Sequence, residues 1–90
     1  MEFPQSAEEW QGAIEAGLGI TAVQGEQQWA NNTFPSVKLA AWLSETYDAK
    51  HGYSPEFVPA LLRNLLGLLA WVYGDGEEPY WPASDVNSQT

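Results

Sequence analysis

Residues 54–73, SPEFVPALLRNLLGLLAWVY, decide the fold. Ser54-Pro55-Glu56 reads as a helix start. A hydroxyl caps a free N–H, a proline at the first helical position lacks the donor that would go unpaired, and a carboxylate suits the positive end of the dipole. Beyond it only Arg63 and Asn64 interrupt the apolar character, and residues 65–73 are apolar around the whole helix circumference. A helix without a polar face is expected to be a core wrapped by protein. Its apolar run is far short of the roughly 20 residues a bilayer needs, so it is not a membrane span. Pro59, in the second turn, is expected to bend the helix, because the amide hydrogen it lacks would pair with the carbonyl four residues back. Gly67 in the interior predicts a close-passing neighbour, and Ala40 and Ala41 are small enough to be that neighbour.

Working outward, the segment before this core supplies its packing partner. Ser36 is the expected cap of a helix over residues 36–51. At 100° per residue, Leu39, Ala40, Leu43 and Tyr47 share one side, while Val37, Ser44, Glu45 and Asp48 share the other. Trp42 falls at the edge of the apolar side. Lys50 and His51 suit the negative end of this helix, and Gly52 stops it. The link His51-Gly52-Tyr53 is short enough to favour an antiparallel pair.

At the N-terminal side, Ser6-Ala7-Glu8-Glu9 matches a capping box and opens a helix over residues 6–17. Trp10, Ala13 and Ile14 face inward, Glu8, Gln11 and Glu15 face outward, and Gly17 and Gly19 end it. Thr21-Ala22-Val23-Gln24 is a second capping box, giving a short helix over residues 22–30 with Val23, Gln27 and Ala30 on one side beside Trp29. Gly25 costs that helix up to about 1 kcal/mol. Met1-Glu2-Phe3 carries no weight in this reading. After Gly74-Asp75-Gly76 the chain becomes an extended tail over residues 74–90, with Pro79-Tyr80-Trp81-Pro82 as its stiff aromatic centre and Ser84 to Thr90 frayed.

The expected fold is therefore all-α. It is a small single-domain bundle of three main helices, with a short fourth, around the hydrophobic C-terminal helix and followed by an acidic-aromatic tail. Ninety residues suffice for one core that buries roughly 60 to 65% of the unfolded surface. The absence of cysteine removes disulfides and thiolate metal sites, and no secretory signal is visible, so a cytoplasmic location is expected.

Charge is the most unusual feature. Twelve carboxylates face Lys38, Lys50 and Arg63, for a net charge of −9. Glu2, Glu8, Glu9, Glu15 and Glu26 precede the first base, and Asp75, Glu77, Glu78 and Asp85 follow the last. Such a surface repels phosphate backbones and attracts the basic surfaces that hold them. Catalysis finds little support. His51 is the only histidine and reads as a helix end, while Glu8, Glu9 and Glu15 read as a solvated helix face. Asp75-Gly76-Glu77-Glu78 lacks the alternating oxygen ligands of a calcium loop, so no metal or other cofactor is expected.

Residues 13–30 thinly resemble a helix-turn-helix, with Ala13, Gly17 and Val23 at its small, turn and buried positions. Glu26 falls where that pattern buries an apolar side chain, and Gln24 to Asn32 has no arginine or lysine for phosphate or guanine. Such a motif would serve protein contacts rather than DNA.

Aromatic content points the same way, since five tryptophans exceed what one small core requires and tryptophan is enriched at interface centres. Trp10 and Trp71 are assigned to the core. Trp29, Trp42 and Trp81 are the candidates for partner contact, together with Glu8, Glu9, Glu15, Glu26, Glu45, Asp75, Glu77 and Glu78. The expectation is a non-enzymatic inhibitor that covers a basic, nucleic-acid-binding surface of a larger protein. Composition alone resembles that of phage-encoded or mobile-element inhibitors of restriction and CRISPR effectors. The alternative is an assembly subunit that forms a homodimer or joins a larger particle.

Overall fold

The structure, a computed structural model, describes residues 3–80. Their regular structure is all helix, without a strand among the described residues: α1 (Ala7–Leu18), α2 (Ala22–Ala30), α3 (Ser36–Thr46), a 3₁₀ turn (Ala49–His51), α4 (Phe57–Arg63) and α5 (Leu65–Tyr73). Trp81, Asp85 and the rest of the tail beyond residue 80, like Glu2, lie outside the described residues.

Local chemistry sets most of the helix ends. Ser6 Oγ accepts from Glu9 N at 3.1 Å, but the Glu9 carboxylate reaches one residue further back and accepts from Gln5 N at 2.8 Å. Thr21 and Gln24 form the full reciprocal capping box, at 3.1 and 2.8 Å. Gly19, at φ 70°, stops α1 in the left-handed region that glycine enters without steric cost. The carbonyl of Glu15 accepts from the N–H groups of both Gly19 and Ile20. Lys38 Nζ donates to the Leu18 carbonyl at 3.1 Å, so this cation serves the end of α1.

Several expectations are corrected. Residues 54–73 are two helices, not one, and Ser54-Pro55-Glu56 is a turn ahead of the first. Pro59 falls in the first turn of α4, where its missing N–H costs no helical hydrogen bond, so it does not bend the chain. The break is at Asn64, whose Nδ2 donates back to the Ala60 carbonyl at 3.1 Å while its own N–H is shared by the carbonyls of Ala60, Leu61 and Leu62. The break re-aims the buried side. In an unbroken helix Leu69 would lie about 120° around the axis from Phe57, yet both are buried in one core.

Enclosure of residues 65–73 is partial. Leu68 and Leu69 are buried, Trp71 is half-buried rather than fully core, and Leu66 is 71% exposed. Gly67 meets nothing within 4 Å, so neither Ala40 nor Ala41 packs on it. Gly17 lies inside α1 instead of ending it, because the ring of Trp42 rests where its β-carbon would be. Ser36 is the first residue of α3 rather than its cap, and Pro35 before it offers no side-chain bond. That helix ends at Thr46, five residues early, since Asp48 caps the following 3₁₀ turn and takes the N–H of His51. On α2 the face is reversed: Val23, 61% exposed, Gln27 and Ala30 point outward, while Gly25 is buried. An exposed Val23 also removes the buried contact on which the helix-turn-helix pattern depends.

The core joins Trp10, Ile14 and Leu18 of α1 to Leu39 and Leu43 of α3, and to Phe57, Leu61, Leu68 and Leu69 of α4 and α5. Its aromatic part gathers around Phe3, a residue given no weight from sequence. The Phe3 ring lies 5.4 Å edge-on from Trp10, 5.2 Å from Phe57 and 6.0 Å from Tyr47. Tyr53 stacks on Phe57 at 5.4 Å and 16°, and Pro4 is buried beside them. Edge-to-face rings of this kind gain roughly 0.5 to 1.5 kcal/mol per pair beyond their burial. Among the described residues no helix is long and apolar enough to cross a membrane.

Candidate functional site: an acidic end built on Tyr73

The C-terminal end of α5 brings together residues that are far apart in sequence. Tyr73 closes that helix, and its ring lies where a β-carbon on Gly25 of α2 would be. Glycine at residue 25 weakens α2 but opens the space that the ring fills. Phe34 flanks the same ring, with centroids 5.6 Å apart. From this seat the phenol donates to Glu15 Oε2 on α1 at 2.9 Å, a bond spanning 58 positions in the chain. One side chain thereby ties α1, α2 and α5 at a single point.

Two carboxylates bear on that phenol. Burial, the hydrogen bond to Glu15 and the negative charges of Glu15 and Glu26 together push the Tyr73 hydroxyl well above the ordinary phenol range. Glu26 is exposed, so its charge reaches both the phenol and solvent. The chain then turns back over the last turn of α5, with the N–H groups of Gly74 and Gly76 both donating to the Ala70 carbonyl, at 2.8 and 3.1 Å. Glycine is required there by crowding rather than by its dihedral angles: a β-carbon on Gly76 would lie 2.9 Å from Ala70 Cβ, and one on Gly74 would lie 3.1 Å from Trp29 Nε1. This tight return starts Asp75, Glu77 and Glu78 from the same end of the molecule, all exposed.

Of the sequence-derived candidates, Glu15, Glu26, Trp29 and the beginning of the acidic tail converge here. Trp29 is half-buried, with its Nε1 against Gly74. The others lie elsewhere. Glu8 and Glu9 are exposed in the first turn of α1, Glu45 is exposed on α3, and Trp42 is half-buried between Gly17 and Tyr47, whose ring is 5.8 Å away. Trp81 lies outside the described residues. Tyr73 was missed as a site residue because it ends an apolar run and reads as core. The signal was present in Gly25, a helix-interior glycine whose cost of about 1 kcal/mol calls for a close neighbour.

Of the bases, Lys50 is in the 3₁₀ turn, Arg63 is at the end of α4, and Lys38 donates to the Leu18 carbonyl at the end of α1, the helix that also carries Glu15. His51 Nδ1 lies 2.6 Å from Asp48 Oδ1, and this bond holds the Asp48 carboxyl below its usual range. Among the described residues no three His, Cys, Asp or Glu side chains group in a way that could hold a metal ion. The acidic end can attract and orient a positively charged surface, and the edges of Trp29 and Phe34 add apolar contact. Compared with known proteins, the chain matches no family model, no curated protein and no solved structure.

Proposed function

We propose that this chain is a non-enzymatic binding protein whose acidic end covers a basic, nucleic-acid-binding surface of a larger protein. One observation carries this reading. Glu26, Asp75 and Glu77 are exposed around the Tyr73 seat, on a chain of net charge −9 with three bases against twelve carboxylates. Negative charge gathered beside this joint speeds encounter with a basic groove and competes with phosphate for it. Nucleic acid is a poor partner for such a surface, because binding a phosphate backbone relies on lysine and arginine. The biological setting that fits is inhibition of nucleic-acid-handling machinery, including restriction and CRISPR effectors, by a protein of phage or mobile-element origin. That setting rests on charge and size alone.

The test is capture of basic nucleic-acid-binding proteins from lysate, followed by elution with salt. Wild-type chain should retain such a protein, release it as salt rises, and lose it to added duplex DNA. The variant Glu26→Lys with Glu77→Lys should bind at least tenfold more weakly with a shallower salt dependence, while its circular dichroism stays unchanged. Glu15 is left intact in this test because its bond to Tyr73 makes it part of the fold. Unaltered binding by the double variant would remove the electrostatic basis of the proposal.

A further inference from the structure

From residue 57 to residue 74 the chain has no carboxylate and a single charge, Arg63. Pro59, Leu62, Arg63, Leu66 and Gly67 are exposed along this stretch, Leu66 at 71% and Leu62 at 38%. Gly67 is harder to explain from within the fold. Glycine is among the poorest helix formers, yet it sits in the interior of α5 at a position where an added β-carbon would meet nothing within 4 Å. The positive-φ glycines are Gly19 and Gly52, so Gly67 is not required by backbone conformation either. A bulky exposed leucine and an empty notch are therefore adjacent on one helix.

The geometry points to a second copy of this chain as the occupant of this face, packed α5 against α5 in an antiparallel, two-fold pair. An isologous contact requires a self-complementary surface. Leu66 of each copy fills the notch over the partner's Gly67, which meets that condition, since small residues let helix backbones approach closely. Charge selects both the face and the direction. Two chains of net charge −9 repel each other, and this stretch lets them touch without opposing carboxylates. Antiparallel packing brings Arg63, just before the start of α5, toward the negative C-terminal end of the partner's α5 and the partner's Asp75. A parallel pair would set Arg63 against its own copy. A foreign basic protein, in contrast, is drawn to the Tyr73 end.

Sedimentation velocity of the full chain from about 1 µM to about 1 mM, where weak interfaces are read out, tests this directly. Wild type should pass from monomer to dimer over that range. Leu66→Asp should remain monomeric throughout with its helical circular dichroism intact, because Leu66 is mostly exposed. Gly67→Ala is the sharper variant. It adds a better helix former in open space, so it should raise the melting temperature of dilute, monomeric protein and raise the dimer dissociation constant at least tenfold. A wild type that stays monomeric, a dimer indifferent to both substitutions, or a Leu66 face covered only by a foreign protein on a monomeric chain would each overturn the proposal. None of these outcomes depends on Glu26 or Glu77, so failure here is distinguishable from failure of the binding function.

Discussion

At the residue scale, the glycines within helices show how one amino acid carries opposite meanings. Gly12 and Gly17 both lie inside α1, where replacement by alanine ordinarily gains about 1 kcal/mol of helix propensity. Around Gly12 there is nothing within 4 Å, whereas a β-carbon on Gly17 would fall 2.3 Å from Trp42 Nε1. Gly12→Ala should therefore stabilise the protein by up to about 1 kcal/mol. Gly17→Ala should destabilise it by about 1 to 3 kcal/mol, because the indole is wedged against Tyr47 and overpacking exceeds the propensity gain. Urea unfolding followed by tryptophan fluorescence gives both signs in one experiment. Equal stabilisation by the two would show that Trp42 moves aside freely. None of this could be read from sequence, where Gly17 and Gly19 look alike as helix stops; only the identity of what lies opposite separates them.

At the scale of elements, the all-helical class and the caps of α1 and α2 were legible because capping is local, whereas Ser36 and Ser54 cap neither α3 nor α4. Ser6 and Thr21 each act within four residues of themselves. The break at Asn64 and the end of α3 at Thr46 were not, because each goes with a side-chain bond that competes with the helix, from Asn64 Nδ2 to the Ala60 carbonyl and from His51 N to Asp48 Oδ1, and apolar periodicity does not register such bonds. Phe3 was missed for a related reason: three terminal residues carry no periodicity, yet its ring touches four others in the core.

The joint between α1 and α5 is likewise invisible to periodicity, and it has a pH signature. Tyr73 has a raised hydroxyl pKa in the folded protein, so the folded state keeps its proton when the unfolded phenol, at about 10, gives it up. The stability Tyr73 contributes is thus present below pH 10 and lost as pH rises beyond it. Tyr73→Phe should cost about 1 kcal/mol at pH 8, the low end for a bond to a charged acceptor that is partly screened by solvent. Thermal melts from pH 8 to 11.5 should show that difference shrinking above pH 10. A difference that stays constant across the range would mean that burial and Glu15 do not hold the phenol protonated in the folded state.

At the scale of the whole molecule, the distribution of charge is the property that the sequence announced and the fold sharpened. Acids were expected on the outside. Exposed Glu8, Glu9, Glu26, Glu45, Asp75, Glu77 and Glu78 agree with that, but the fold also brings Glu15 and Glu26 to the Tyr73 hydroxyl, two residues before the tail acids begin. A chain of net charge −9 repels itself more in its compact folded state than when expanded and unfolded, and salt screens that repulsion with a Debye length of roughly 10 Å at 0.1 M. Raising salt from low to moderate concentration should therefore stabilise the folded state, in contrast to a protein held together by surface ion pairs. Melting temperature measured by circular dichroism should rise by several degrees between about 10 mM and about 300 mM sodium chloride, with most of the gain complete near 0.1 M, where the Debye length has fallen to about 10 Å. Glu26→Gln should melt higher than wild type at low salt and converge with it at high salt, because removing one charge from the cluster does what screening does. A melting temperature that falls with salt would mean that attraction, not repulsion, dominates this end, and the acidic surface would then be structural rather than available to a partner.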